Sequence, residues 1–369
     1  VDLRLSKILS RVGLVTDGWA VSQPQHNRWL TADIWELIQD DHHLVVKRLA
    51  RRRDGGTTAF TQHWSHSCES PDHWNYWLRE ALAYQSGVVG CFAEEGLRAP
   101  ICVGVDIADE DAVVAMEFVD GTPAERWDID TYADAARRLG AAQGKLAPGG
   151  GLPDVEWLSQ GFLRDYSTEK PVIWDLLDDD HSWNQALVAE NFPPTLRSAA
   201  NELHAHRHRL CSLLESLPRT LCHLDFWTKN LIQADDGSFV LLDWGFVGIG
   251  ALGEDVGNLV PDAAFDLFIE PHQLRELRRT VLSSYVDGLN DSGWSGDPRV
   301  VELAMAASAV KYDWLTPLML ERASAGQHRR YGGLETVNSA ELYAKRGGAL
   351  LDNAQQGLHA LQLAEELAL

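Results

Sequence analysis

Two neighbouring segments constrain this chain most: "LCHLDFWTKNLI", Leu221 to Ile232, and "LLDWGFVGIGALGEDVGNL", Leu241 to Leu259. In both, polar residues interrupt runs that otherwise belong in a core. A polar group carried inward costs free energy unless it is paired, so His223, Asp225, Asn230 and Asp243 must find partners or share a site. Thr220 to Leu224 and Phe239 to Asp243 read as short strands flanking the loop Asp225 to Asn230, and "ADDG" reads as a hairpin turn. That arrangement can bring Asp225, Asn230 and Asp243 to one end. Two carboxylates and a carboxamide there offer hard oxygen ligands for Mg²⁺ and an acceptor for a proton.

The rest of the chain falls into a β-rich front and a helical back. "DIWELIQDDHHLVVKRLA" reads as a hairpin, Ile34 to Ile38 and Leu44 to Leu49, turning at Gln39 to His42. "RRRDGGTTAFTQHWSHSCES" reads as a long loop. In "SPDHWNYWLREALAYQSG", Ser70 suits an N-cap, Trp74, Trp77, Leu78, Ala81 and Leu82 mark one helical face, and Gly87 is a stop. A second hairpin spans Ile101 to Ile107 and Ala112 to Val119. From Asp130 onward helical periodicity dominates, over "TYADAARRLGAAQGKLA" and then Pro194 to Leu217, Gln273 to Leu289, Val300 to Ala323 and Ala340 to Leu367. With 369 residues, length favours two lobes. The expectation is an α+β fold: a small sheet with one helix over residues 1–120, a linker near Asp120-Gly121, and a larger, mostly helical lobe over 121–369.

Lys plus Arg total 32 against 54 Asp plus Glu, a formal charge of -22. Such a chain is poorly suited to the phosphate backbone of nucleic acids and better suited to a cationic or neutral small molecule. The five cysteines, Cys68, Cys91, Cys102, Cys211 and Cys222, follow no C-x-x-C spacing. Reduced thiols in a cytoplasm are therefore expected. No apolar run approaches the ~18 residues of a membrane span.

"H-L-D-F-W-T-K-N", followed thirteen residues after the Asn by "D-W-G", resembles the H-x-D-x-x-x-x-N plus D-x-x signature of aminoglycoside phosphotransferases, choline kinases and related small-molecule kinases, distant relatives of the protein kinases. The resemblance covers Trp29 to Asp262 in outline and is strong over Leu221 to Leu259. It implies a bilobal protein-kinase-like fold with ATP and Mg²⁺. By position, Asp225 resembles the catalytic base, Asn230 and Asp243 the metal ligands, and His223 a structural member of the catalytic loop. Asp255 resembles the aspartate that braces that loop, although a helix N-cap explains it equally well. In the front lobe Lys47, in "LVVKRL", and Glu80, in "WLREALAY", match the strand lysine that reaches the phosphates and the helix glutamate that holds it. Arg48 would point to the other face of the sheet. "AMEFVDG" resembles the hinge, where main-chain groups of Glu117 and Val119 would contact adenine. No G-x-G-x-x-G precedes Lys47; the turn over the phosphates is expected near "QHNRWLTADIW".

The acceptor is expected between the catalytic loop and the later helices, where Asp262, Asp266, Tyr312, Asp313 and Trp314 combine carboxylates with aromatics. That mixture suits a polyhydroxylated amine or a cyclic natural product. "LLDDDHSW" offers Asp178 to Asp180 either as a helix end or as an acidic rim. Zinc at His63, His66 and Cys68, or at His204, His206 and His208, is the weaker reading of those clusters, which fit a polar loop and a solvated helix. Three functions follow. The first is an ATP-dependent phosphotransferase acting on a hydroxyl of a small cationic or polyhydroxylated acceptor, in antibiotic resistance or in biosynthesis. The others are a kinase for a peptide Ser or Thr during natural-product maturation and a catalytically silent kinase-like binding protein; intact Lys47, Asp225, Asn230 and Asp243 argue against the last. A small-molecule acceptor is the expected partner, with no nucleic acid and no membrane. Nothing in the sequence sets an oligomeric state.

Overall fold

The computed structural model describes residues 3–15, 17–24, 31–51, 69–147, 151–325 and 337–369. His63, His66 and Cys68, and the start of the expected phosphate turn at Gln25 to Leu30, lie outside the described residues.

Alternation builds the first sheet. Along β2 (Thr31–Gln39), Thr31, Asp33, Trp35 and Leu37 are buried and the residues between them less so. The period of two puts those four on one face. β2 turns at Asp40-Asp41 into β3 (His42–Ala50); Asp40 takes φ 49°, as a tight hairpin requires. With β1 (Ala20–Ser22), β5 (Cys102–Ile107) and β6 (Asp111–Glu117) they form an antiparallel sheet in the order β1-β2-β3-β6-β5.

Each face of this sheet is covered by a helix, where the sequence had led us to expect one helix in this lobe. The additional helix is α1 (Leu3–Arg11), whose Leu5, Ile8 and Leu9 pack on Trp35, Leu37, Val46 and Val113. The expected one, α2 (Arg79–Ser86), ends at Gly87 in the left-handed conformation, φ 80°, as its sequence predicts. It begins later than the Ser70 cap suggests. The reason is the fully buried Arg79, whose guanidinium collects the carbonyls of Pro71, His73 and Trp74 that helix amides would otherwise take.

The second part of the chain is mainly helical, as expected. Counting helices of seven residues or more, it holds α3 (Ile129–Leu146), α4 (Phe162–Thr168), α5 (Leu196–Ser216), α6 (Glu254–Phe265), α7 (Leu274–Asp291), α8 (Pro298–Ala307), α9 (Leu315–Ala325) and α10 (Ser339–Glu366). α3 and α7 cross closely: a Cβ at Gly140 would collide with the carbonyl of Tyr285, and one at Gly288 with that of Arg137. Here glycine is required by the approach of two backbones. The single helix expected over Val300 to Ala323 is divided into α8, a 3₁₀ turn over Ser308–Tyr312, and α9. Pro317 gives the reason, since it has no N–H for the carbonyl four residues back and is tolerated only in a first turn.

Short strands frame the site. β9 (Leu231–Gln233) and β10 (Phe239–Leu241) form a hairpin around the expected "ADDG" turn, joined by β4 (Leu97–Arg98) and β7 (Thr122–Pro123). β8 (Arg219–Cys222) pairs instead with β11 (Gly248–Ala251), a strand the sequence reading did not assign. Gly248 faces the backbone of Ser159, leaving no room for a side chain. Among the described residues no helix is long and apolar enough to cross a membrane, and Cys91, Cys102, Cys211 and Cys222 are free thiols.

Candidate active site

Lys47 lies on the face of β3 turned toward α2, and α2 supplies Glu80 from its first turn. Their ion pair measures 2.7 Å from Nζ to Oε1, and the side chains are only 11 % and 3 % exposed. Asp243 Oδ1 stands 3.5 Å from the same ammonium. Burial by itself would lower the Lys47 pKa; Asp243 and Glu80 outweigh it and hold the group above the usual lysine range. Its neighbour Arg48 takes the opposite face, where it meets Asp33 at 2.6 Å.

Asp243 occupies the left-handed region at φ 60°, which a non-glycine residue keeps only where its surroundings enforce it. Trp244 is the enforcing neighbour. Fully buried, it donates its indole N–H to Leu241 O at 2.9 Å and stands edge-on to His223, with ring centroids 4.9 Å apart. With the tryptophan locked inward, the Asp243 carboxylate turns outward and stays 48 % exposed. Arg79 secures this loop to α2, donating to Gly245 O at 3.3 Å and to Trp157 O at 2.7 Å.

Asn230 donates from Nδ2 to Asp225 Oδ2 at 2.8 Å and to Asp225 O at 3.1 Å. Since the amide nitrogen must face the carboxylate, the amide oxygen is left for another ligand. Asn230, Asp225 and Asp243 all line one cavity of about 230 Å³. Among the described residues no group of three or more His, Cys, Asp or Glu is placed to hold a metal. A divalent ion here would take the Asp243 carboxylate and the Asn230 oxygen from the protein and complete its shell with phosphate oxygens and water, the mixed shell that Mg²⁺ accepts. The donor set fits.

Asp225 has its pKa pushed up to about 7, chiefly by burial; Lys311 pulls it down, and Asp243 and Asp262 push it further up. His223 is fully buried, with the backbone of Asp225 and of Leu242 beside its ring. Burial lowers its pKa to about 4, which leaves a neutral ring packed on Trp244.

Leu224, just before Asp225, takes φ 63°. Asp255 braces it: Oδ1 accepts from Leu224 N at 2.7 Å, and Oδ2 from His223 N at 2.9 Å and Gln143 Nε2 at 2.8 Å. Of the two explanations open for Asp255, loop brace and helix cap, the geometry selects the brace, since α6 begins without a side-chain cap. Tyr285 Oη completes the network by donating to Gln143 Oε1 at 2.5 Å. Asp255→Ala would leave three buried donors unmet, so a loss of about 3 kcal/mol or more is expected in urea unfolding. Asp255→Asn, which keeps one oxygen, should lose less.

At the sheet edge, Glu117 N already donates to Ile101 O and Phe118 N to His43 O, both at 2.9 Å. The Glu117 carboxylate pairs with Arg98 and accepts from Ile101 N at 3.0 Å.

The same cavity is walled by Tyr166, Trp227, Phe246, Phe265, Tyr312 and Trp314 and carries Asp262, Asp266 and Lys311. Asp262 lies in the last turn of α6 and Asp266 is its C-cap, one turn on, so the two share a face. Tyr312 Oη donates to Asp262 Oδ2 at 2.5 Å, and Arg346 Nη2 lies 3.5 Å from Asp266 Oδ1. Burial first, then the charge of Asp262, pushes Asp266 up to about 7.

Asp313, expected among the acceptor residues, is not brought to this cavity. It is 4 % exposed and points its Oδ2 at His204 Nδ1, 3.4 Å away. The 3₁₀ turn turns Lys311 and Tyr312 inward and sends the next carboxylate the other way. His204 stacks on Trp174 with centroids 4.2 Å apart, the surroundings of a packed helix. Asp178 to Asp180 are a helix end: Asp179 caps the following turn and Asp180 pairs with Arg197. Sequence reasoning missed Lys311, Arg79, Gln143, Tyr166 and the three phenylalanine and tryptophan walls at 227, 246 and 265. For Lys311 the available signal was Pro317, which breaks the long helix just beyond it.

The sequence profile of the phosphotransferase enzyme family (APH) matches residues 30–288. No curated protein matches the sequence. Solved structures similar over nearly the whole chain include amicoumacin kinase hAmiN in complex with AMP-PNP, Ca²⁺ and Ami, at 10 % identity and TM-score 0.49, covering 94 % of this chain and 93 % of that one. Choline kinase from Cryptosporidium parvum Iowa II is similar at 13 % identity and TM-score 0.49, covering 100 % and 96 %. Spectinomycin phosphotransferase APH(9)-Ia, in complex with ADP and spectinomycin, is similar at 12 % identity and TM-score 0.45, covering 96 % and 98 %.

Proposed function

We propose that this chain, which belongs to the phosphotransferase enzyme family, moves the γ-phosphate of ATP to a hydroxyl of a small cationic or polyhydroxylated acceptor. The observation that carries this reading is Asp243, which stands 3.5 Å from the ammonium of the Lys47–Glu80 pair and lines the cavity together with Asp225 and Asn230. In this reading residues 1–120 are the nucleotide lobe and 121–369 the catalytic and acceptor lobe.

Lys47 holds the phosphates, and Glu80 keeps its ammonium in place. Main-chain groups of Glu117 and, two residues on, Val119 meet adenine. Asn230 and Asp243 are the residues that would hold Mg²⁺, which when bound neutralises charge on the phosphate oxygens. The acceptor hydroxyl gives its proton to the Asp225 carboxylate as its oxygen bonds to the γ-phosphorus and the bridging bond from that phosphorus to ADP breaks. His223 supports the loop from behind.

The acceptor lies against Asp262, Asp266, Tyr312 and Trp314. Both carboxylates sit in an aromatic wall with raised pKa values: burial alone raises Asp262, while at Asp266 burial comes first and the charge of Asp262 adds to it. An acceptor cation between them would offset the cost of that burial, and the aromatic faces add cation–π attraction. The test is mass-spectrometric detection of added phosphate after incubation with Mg²⁺-ATP and a panel of aminoglycosides, cyclic peptide antibiotics, nucleoside antibiotics, amino sugars and Ser-containing peptides. A cationic small molecule gaining one phosphate is expected. Phosphate on a peptide alone would replace this acceptor class.

A further inference from the structure

Lys311 occupies the 3₁₀ turn between α8 and α9 and is 3 % exposed, yet its ammonium reaches the cavity that holds Asp225. A lysine is costly to bury without compensation, and the compensation here comes from one place. Nζ donates to Leu224 O at 3.4 Å and lies 3.8 Å from Asp225 Oδ1. Its stem runs among Phe162, Tyr166 and Tyr312, whose ring centroids are 5.5 to 5.7 Å from Nζ. The charged groups that face it from the packed elements are Asp225, Glu254, Asp255 and Asp262, with Lys170 the opposing cation.

The two residues it touches are those whose geometry matters most. Leu224 is a left-handed, non-glycine residue, so its conformation has to be imposed from outside. Asp255 takes its N–H from one side. Lys311 takes its C=O from the other. Leu224, the residue that aims Asp225, is thus held on both sides, at its N–H and at its C=O, by charged side chains from different elements, and the same ammonium also faces the Asp225 carboxylate.

We propose that Lys311 is a positioning residue for phosphate transfer: it clamps the Leu224 carbonyl and the Asp225 carboxylate so that Asp225 faces the acceptor hydroxyl. This rests on the reading of Asp225 as the base. Nucleotide binding, which uses β3, α2 and Asp243, does not depend on it.

The test compares Lys311→Met and Lys311→Arg in the parent and in an Asp225→Asn background, with ATP hydrolysis as the assay and water standing in for the acceptor hydroxyl. Lys311→Met should lower kcat on the order of 10²-fold, as expected for a misplaced catalytic group. KM for ATP and calorimetric affinity for Mg²⁺-ADP should stay unchanged, and Lys311→Arg should recover part of the rate. Because Lys311 acts through Asp225, the double variant should be no slower than Asp225→Asn alone. Losses that multiply, or a Lys311→Met enzyme as fast as the parent, would overturn the proposal. Hydrogen exchange gives a reading independent of turnover: the amides of Leu224 to Trp227 should exchange faster in Lys311→Met, with Lys311→Gln substituted if that variant fails to fold. Unchanged exchange there would also overturn the clamp. Failure of the parent to bind Mg²⁺-ADP would instead remove the kinase reading, while the exchange result still decides whether Lys311 holds the loop.

Discussion

Asp225→Asn is expected to bind Mg²⁺-ATP as the parent does and to transfer phosphate 10² to 10⁴-fold more slowly, the usual loss when a general base is removed. The amide preserves the shape of the side chain and can still meet Asn230, but it cannot accept the acceptor's proton. A pH profile gives the same assignment a sign. Burial raises the Asp225 pKa to about 7, and only the ionised form accepts a proton. The kcat/KM of the parent should therefore rise with pH through about 7 and level off above it, and Asp225→Asn should lose that limb. A parent profile flat from pH 5 to 9, or full activity in Asp225→Asn, would remove Asp225 from the role of base.

The second large effect concerns Asp243. Mg²⁺-ATP at 100 times its Kd should stabilise the parent by about 2.7 kcal/mol, a rise of roughly 3 to 4 °C in melting temperature. Asp243→Ala should lose most of this rise, because its carboxylate is the anionic member of the pair that would hold the ion. Alanine at φ 60° also strains the loop, so Asp243→Asn, whose side chain tolerates that backbone better, is the control. It should melt near the parent without nucleotide and gain little from Mg²⁺-ATP. Equal stabilisation of all three proteins would exclude Asp243 from metal binding.

Much of this arrangement is legible because local chemistry forces it. The alternation in β2, the left-handed Gly87, and the breaks at "ADDG" and after Leu146 are short-range matters, and each appears where the residues predict it. The H-x-D-x-x-x-x-N and D-W-G spacings likewise bring Asp225, Asn230 and Asp243 together, since six residues of loop and one hairpin can close in few ways. Even the partnership of Lys47 with Glu80 follows from a strand facing a helix.

Other features depend on groups distant in sequence. Whether Asp255 caps its helix or braces a loop is undecided locally; the amides of His223 and Leu224, brought against it by the pairing of β8 with β11, decide it. Ser70 carries a sound capping signal, and Arg79 overrides it by taking the carbonyls that the longer helix would have used. The stretch from Val300 to Ala323 has helical periodicity throughout, yet Pro317 and the packing around it divide the helix. That division turns Lys311 and Tyr312 toward the cavity and Asp313 away from it. By itself the sequence determined the α+β fold and the convergence of Asp225, Asn230 and Asp243, because those follow from periodicity and short loops. Only the tertiary structure decided which buried charges meet, because a buried lysine or aspartate takes its partner from whichever element packs against it, and sequence spacing does not encode that choice.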